Sequence, residues 1–100
     1  MHIEILDDAK NDILSGTLFY ESQQYGAGDY FLESISADIE SLHLYAGIHM
    51  QRYGYYALCA KRFPYTIYYQ VIEDKIVRII AVLDDRQNPH RTLTRLEKKL

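Results

Sequence analysis

The stretch YTIYYQVIEDKIVRIIAVLD, residues 65–84, decides the fold. Its two halves, Tyr65 to Ile72 and Ile76 to Asp84, are rich in Tyr, Val and Ile, which favour strands. The polar residues EDK between them are typical of a tight turn. A third run of the same composition, Tyr55 to Arg62, comes before this stretch. The sequence therefore predicts three consecutive strands in an antiparallel meander.

The first half of the chain has a different pattern. A short apolar run from Ile3 to Leu6 predicts a strand, and Asp8 to Gln24 has apolar residues at helical spacing. After a glycine-containing break, Asp29 caps a second predicted helix, and Gly47 ends this helical half. The apolar residues that define the second helix are Phe31, Ile35, Ile39 and Leu42. The short link between the two helices predicts an antiparallel helical hairpin.

These elements predict an α+β fold in one domain over residues 1–100. The predicted order is β-α-α-β-β-β, with a short amphipathic C-terminal helix over Thr92 to Leu100. The helical hairpin packs on one face of a small antiparallel sheet, and the first strand pairs into the meander. A chain of 100 residues has a small core, so a partner would add much to its stability, and a homodimer is one such assembly.

Strand alternation assigns the two faces of the predicted sheet. The face toward the hairpin carries Ile67, Tyr69, Val71, Val77, Ile79, Ala81 and Leu83. The opposite face carries Thr66, Tyr68, Gln70, Arg78, Ile80 and Val82. This second face is too apolar to remain in water, so we expect either a partner segment or the last helix of the chain to cover it.

Composition and charge exclude several classes of function. The net charge of −3 is unevenly distributed. Residues 1–50 carry −8, from nine acids and one lysine, and residues 51–100 carry +5, from ten bases and five acids. A protein with this overall charge is not expected to be a general nucleic-acid binder. The single cysteine, Cys59, forms no internal disulfide and fits a reducing compartment such as the cytoplasm. No signal peptide, membrane-spanning stretch or zinc-ligand spacing is present, and His43 and His49 do not form a metal motif. We therefore expect no cofactor, metal or membrane contact.

The second half of the chain contains motifs of a known superfamily. Lys61-Arg62-Phe63-Pro64-Tyr65, an aromatic strand, a strand ending Ala81-Val82-Leu83, and a basic turn closed by Pro89 resemble the RelE/ParE toxins. The closest likeness is to the ParE-like, plasmid-stabilisation members. The resemblance implies the same fold, a bacterial type II toxin that inhibits growth by binding an essential target such as DNA gyrase, and a cognate antitoxin that neutralises it.

Departures from the superfamily pattern bear on whether the protein is an enzyme. Where the ribosome-dependent mRNA nucleases of the superfamily place basic catalytic groups, this chain has the neutral residues Ala57, Cys59 and Thr66, so we favour binding over catalysis. Two alternatives stay open. One is a metal-independent nuclease acting on the ribosome and mRNA, with Arg62, Arg86 and His90 as a reduced catalytic set. The other is a degenerate, non-toxic member of the superfamily.

The candidate partner-binding residues are three arginines and two tyrosines. Arg62, Arg78 and Arg86 could converge to hold an antitoxin carboxylate or a phosphate, or they could be separate solvated side chains. The chain has ten tyrosines, which could stack on bases or could simply fill strands and core. Tyr53 and Tyr68 are the two that we expect to touch a partner.

Overall fold

The computed structural model describes residues 1–97, and the last three residues of the predicted C-terminal helix lie outside this range. The chain forms five strands and four helices within the described residues. In chain order they are β1 (His2–Ile5), α1 (Asp7–Gln23), α2 (Ala27–Glu40), α3 (Leu42–Tyr45), β2 (Gln51–Arg52), β3 (Tyr55–Cys59), β4 (Tyr65–Ile72), β5 (Ile76–Asp84) and α4 (Pro89–Glu97).

The strands form one sheet in the order β1-β5-β4-β3-β2. The predicted α+β fold and the predicted meander of three long strands are confirmed, because β3, β4 and β5 are antiparallel neighbours. The sheet is mixed rather than wholly antiparallel, since β1 lies parallel to β5, with Ile3 opposite Val77. The chain leaves β1, crosses one face of the sheet as the helical hairpin, and returns through the meander, so its last strand runs beside its first.

A bulge in β5 changes the predicted faces of the sheet. Tyr68 pairs with Ala81 and Tyr69 pairs with Ile79, so Ile80 is the extra residue. An extra residue reverses the side-chain alternation beyond it. Val82 therefore faces the helical hairpin, whereas Ala81 lies on the opposite face. Leu83 moves with Ala81, so the predicted sides of these three residues were wrong.

The helical hairpin covers one face of the sheet and forms the main core. Its buried apolar members include Phe31, Ile35, Ile39, Leu42, Ile67, Tyr69, Val77 and Ile79. At one end of this core the Phe31 ring packs against Tyr20 and Tyr65, with ring centroids 5.1 and 4.9 Å apart. Gly16 of α1 faces the same ring, and a Cβ at this position would lie only 2.6 Å from two of its carbons. Close packing of α1 on the ring therefore requires glycine at residue 16.

Helix α4 covers the opposite face, as one of the two expectations for that face proposed. Leu96 is fully buried against a second cluster, which also contains Tyr55, Ala57, Tyr68, Ile80, Ala81 and Leu83. The Tyr55 hydroxyl donates a hydrogen bond to the Leu96 carbonyl oxygen at 3.3 Å. The helix begins at Pro89, three residues before the predicted start, because proline suits the first helical position and the Asn88 side chain accepts the His90 N–H.

The remaining differences lie at ends of elements. Helix α2 begins at Ala27 rather than after Asp29, since the Glu21 carboxylate accepts the N–H groups of Gly26 and Gly28. The second predicted helix divides into α2 and α3 at Ser41, whose hydroxyl bonds the Asp38 carbonyl at 2.6 Å. Strand β3 ends at Cys59, and the two-residue strand β2 is too short to show in the sequence pattern.

Candidate functional site

Arg86 and its partners lie just beyond the end of β5. The Arg86 guanidinium donates to both carboxylate oxygens of Asp84, at 3.0 and 2.8 Å, and to the Tyr20 hydroxyl at 3.2 Å. These hydrogen bonds hold the pKa of Asp84 below its ordinary value. The guanidinium remains about half exposed. Arg86 is therefore a positioned cation that a partner can still reach, although part of its hydrogen-bonding capacity is already used.

Tyr65 lies beside this ion pair. Burial, and then the nearby negative charge of Asp84, raise the pKa of Tyr65 to about 12. The phenol is therefore neutral at physiological pH. A neutral phenol of such high pKa can donate a hydrogen bond, but it is a poor general base near pH 7.

An open cavity of about 280 Å³ separates α1 from the end of β5. Its lining consists of Asp12, Ser15, Gly16, Phe19, Tyr65, Val82, Leu83, Asp84 and Gln87. Asp12 accepts the N–H of Val82 at 2.9 Å and binds both guanidinium nitrogens of Arg95 at 2.7 and 2.8 Å. The hydrogen bonds that Arg95 donates to the Asp12 carboxylate raise the pKa of Arg95. The acidic residues of the cavity are thus engaged in holding the fold together.

The three candidate arginines do not meet at one point. Arg62 is exposed and precedes Phe63, whose ring lies 4.8 Å from that of Tyr20, so Arg62 and Arg86 belong to the same end of the sheet. Arg78 is paired with Glu4 on β1 at 2.8 Å. Since a strand rises about 3.3 Å per residue, the six steps from Arg78 to Asp84 alone span about 20 Å. A single carboxylate or phosphate cannot bind Arg78 and Arg86 together.

The two candidate tyrosines differ in accessibility. Tyr53 lies in the turn between β2 and β3, with a φ of 56°, and its side chain is partly exposed. Tyr68, whose ring centroid is 6.2 Å from that of Tyr53, belongs to the cluster beneath α4 and is only 3 % exposed. Burial raises the pKa of Tyr68. A partner can reach Tyr53 directly, whereas contact with Tyr68 requires α4 to move.

The positions that would carry catalytic cations in a nuclease are neutral and mostly covered. Ala57 is buried, and Thr66 is fully buried with its hydroxyl bonded to Asp85 at 2.6 Å. Cys59 is exposed and lies 3.4 Å from a guanidinium nitrogen of Arg52. His90 is exposed on the first turn of α4. Among residues 1–97, no hydrogen bond or ion pair joins His90 to Arg62 or Arg86, and the reduced catalytic set stays a prediction.

Sequence reasoning missed three charged residues with structural partners. Arg52, on β2, supplies a cation beside Cys59, and the bidentate pair between Asp12 and Arg95 fastens α4 to α1. The only sequence signal for either was the Tyr53-Gly54 dipeptide, which marks the turn after Arg52. Asp12 and Arg95 are 83 positions apart, so no local pattern predicts their contact.

Two other kinds of site are absent from residues 1–97. No helix in that range is long and apolar enough to cross a membrane. No group of three or more His, Cys, Asp or Glu side chains in the same range is arranged to hold a metal ion.

A helical hairpin and a C-terminal helix on opposite faces of a small mixed sheet define a small α+β protein. Residues 3–89 match the family model described as the ParE toxin of the type II toxin–antitoxin system, parDE, and the chain belongs to this family. A solved structure described as the chromosomal ParDE TA system from P. aeruginosa is similar in fold. Its TM-score is 0.66 at 16 % identity, over 82 % of this chain and 92 % of that chain. No curated protein matches the chain.

Proposed function

We propose that the protein inhibits bacterial growth from the cytoplasm by binding an essential target such as DNA gyrase, and that a cognate antitoxin neutralises it. The family assignment supplies the toxin class. The observation that favours binding over catalysis is the neutral sheet face at Ala57, Cys59 and Thr66. Loss of even one charge-stabilising donor in comparable enzymes costs about 3 kcal/mol of transition-state stabilisation.

Arg86 is the proposed principal contact with the target. It is the arginine that the fold holds in place, through Asp84 and Tyr20, while leaving it half exposed. A pre-positioned guanidinium loses less side-chain entropy when it binds a carboxylate or phosphate than a mobile one does. Arg62, at the same end of the sheet, would add a second cation.

The antitoxin is proposed to reach the remaining candidate contacts. Type II antitoxins are expected to order a flexible segment on their toxin, and acidic side chains of that segment would pair with exposed arginines. Tyr53 is accessible to such a segment, and Arg78 would exchange Glu4 for an antitoxin carboxylate. Tyr68 would take part only if the segment displaced α4.

Growth and target assays test this proposal. Inducible expression without an antitoxin should arrest growth, and the purified protein should inhibit gyrase supercoiling while leaving mRNA on translating ribosomes intact. Arg86→Ala should abolish both effects. Arg91→Ala is a matched control, because Arg91 is exposed on α4 and its side chain makes no hydrogen bond or ion pair within residues 1–97.

Each outcome of these assays corresponds to a different function of the protein. Cleaved mRNA together with uninhibited gyrase would replace the proposal with the ribosome-dependent nuclease. Unimpaired growth at high expression would leave a non-toxic family member. Equal loss of activity in the Arg86→Ala and Arg91→Ala variants would show that Arg86 has no special part in target binding.

A further inference from the structure

The guanidinium of Arg86 has N–H donors on three nitrogens, and most of them are already used. Nε donates to Oδ1 of Asp84 at 3.0 Å, and Nη2 donates to Oδ2 of the same carboxylate at 2.8 Å. Nη2 also donates to the Tyr20 hydroxyl at 3.2 Å. Among residues 1–97, no hydrogen bond involves Nη1. Within this part of the chain, Nη1 therefore carries the donors that Arg86 can offer to a partner without breaking a bond.

Asp84 occupies one of the two edges through which Arg86 could bind an anion. An arginine holds a phosphate or carboxylate most strongly through two parallel N–H groups, such as those on Nε and Nη2. The Asp84 carboxylate takes both of these, and its Oδ1 also accepts the main-chain N–H of Arg86 at 2.8 Å. The hydrogen bonds from the Arg86 side chain lower the pKa of Asp84, so the carboxylate is ionised at neutral pH. Arg86 thus has its own anion, and the pair has no net charge.

Tyr20 interrupts the other edge of the guanidinium. That edge presents Nη1 and Nη2, and the Tyr20 hydroxyl already accepts from Nη2. The Tyr20 ring is held in place, because it packs against Phe31 and Phe63 with centroids 5.1 and 4.8 Å away. Neither edge of Arg86 is therefore free to bind a phosphate through two parallel bonds. What remains is room for a single oxygen at Nη1.

The turn after β5 places a second carboxylate next to Arg86. The Asp85 N–H donates to the Pro64 carbonyl at 2.7 Å, which fixes the main chain of this turn. Oδ1 of Asp85 accepts from the buried Thr66 hydroxyl at 2.6 Å. A nucleic-acid strand brings one phosphate with every nucleotide, so the phosphates beside the one at Nη1 would meet Asp84 and Asp85. A protein can instead offer one isolated oxygen.

We infer that Asp84 is a specificity-determining residue, which keeps the phosphates of nucleic acid off Arg86 and leaves Nη1 for a single oxygen of a protein partner. The inference rests on the proposed function only in treating Arg86 as a contact with the target. It narrows that target to a protein surface, because a polyanion would have to displace Asp84 before it could use the stronger edge of the guanidinium.

Fluorescence anisotropy of a labelled single-stranded oligouridine of about 12 nucleotides, at about 50 mM salt, tests the inference. The wild-type chain should bind this RNA with a Kd above about 100 µM. Asp84→Asn removes the charge but keeps an acceptor for the Arg86 main-chain N–H, and it should raise the RNA affinity at least about tenfold, the effect of one charge-assisted hydrogen bond. Asp85→Asn is the matched control, because it removes the same charge one residue away and can still accept from Thr66. It should raise the affinity by no more than about threefold.

A double variant shows whether the gain in RNA affinity depends on Arg86. Adding Arg86→Ala to Asp84→Asn should return the affinity to the wild-type value. Asp84→Ala, which removes the whole carboxylate, repeats the test if circular dichroism shows that Asp84→Asn does not fold, and it should give the same gain.

Tight binding of the RNA by the wild-type chain would overturn the inference and favour a nucleic-acid partner. An unchanged affinity in the folded Asp84 variants would also overturn it. An equal gain in Asp85→Asn, or a gain that survives Arg86→Ala, would do the same. None of these measurements uses gyrase or growth, so a chain that fails to arrest growth refutes the proposed function and leaves the RNA result to decide the role of Asp84.

Discussion

Replacing Gly16 with alanine sets two opposite effects against each other in the middle of α1. Alanine has a higher helix propensity than glycine, and in an exposed helix interior this substitution stabilises by about 1 kcal/mol. Gly16 is buried, however, and an added Cβ would lie 2.6 Å from two carbons of the Phe31 ring and 3.2 Å from the Tyr65 hydroxyl. Ordinary contacts between carbon atoms are about 3.5 to 4.0 Å, so the ring must move by about 1 Å.

The surrounding rings decide which effect is larger. Phe31 is fully buried and contacts Tyr20, Phe63 and Tyr65, with centroids between 4.9 and 5.1 Å away. The ring cannot shift without displacing these neighbours, and overpacking of this kind costs about 1 to 3 kcal/mol. We expect Gly16→Ala to lower the free energy of unfolding by about 1 kcal/mol in total. The melting temperature should fall by about 4 to 8 °C for a domain of this size.

Urea unfolding followed by circular dichroism measures this change. Ser15→Ala is the control, because it raises helix propensity at the exposed neighbouring position and should stabilise slightly. In a Phe31→Leu background, where the two ring carbons are absent, Gly16→Ala should become neutral or stabilising. A more stable Gly16→Ala protein would refute the packing argument, as would the same loss of stability in both backgrounds.

Three further perturbations act on other contacts. Asp12→Ala should lower the free energy of unfolding by about 2 to 4 kcal/mol, because the Val82 N–H and the partly buried Arg95 would lose their hydrogen-bond partner. Thermal unfolding measures this change, and Arg95→Met should lower the free energy of unfolding by less. The pKa of Tyr65 is about 12 in the folded state and about 10 in the unfolded state, so the neutral phenol contributes stability in full below pH 10, and this contribution is lost between pH 10 and 12. In a series of urea-unfolding measurements at increasing pH, Tyr65→Phe should therefore reduce the alkaline loss of unfolding free energy by about 2 kcal/mol. Asp74→Gly should stabilise by about 0.5 to 1 kcal/mol, because Asp74 has a φ of 57° in the β4–β5 turn, and an unchanged urea midpoint would contradict this.

Local pattern was enough to predict the strands and helices that carry the core. The alternating apolar residues of β4 and the helical spacing of Phe31, Ile35 and Ile39 correspond to buried faces in the structure. The bulge at Ile80 was not predictable, because five consecutive apolar residues, 79–83, show no alternation that would reveal an extra residue. The parallel pairing of β1 with β5 depends on the route of the whole chain rather than on any local signal.

The candidate site was less predictable than the fold, because charges find their partners through tertiary contact. Arg78 pairs with Glu4 across 74 residues, and Arg86 reaches Tyr20 across 66. The sequence shows that these arginines exist but not which carboxylates or phenols already occupy them. Burial of Tyr68 beneath α4 likewise depends on where the last helix packs. The roles of Arg62, Arg78, Arg86, Tyr53 and Tyr68 in binding remain predictions.

The bond between Asp12 and the Val82 N–H has a consequence for solubility. Strand β1 pairs with β5 only as far as Ile79, so the last residues of β5 form an edge that another molecule's strand could join. The Asp12 carboxylate occupies the position where that strand would place its carbonyl oxygen, and it adds a negative charge there. The Asp12 side chain thus occupies the main-chain donor that an added strand would need, which disfavours extension of the sheet at this edge.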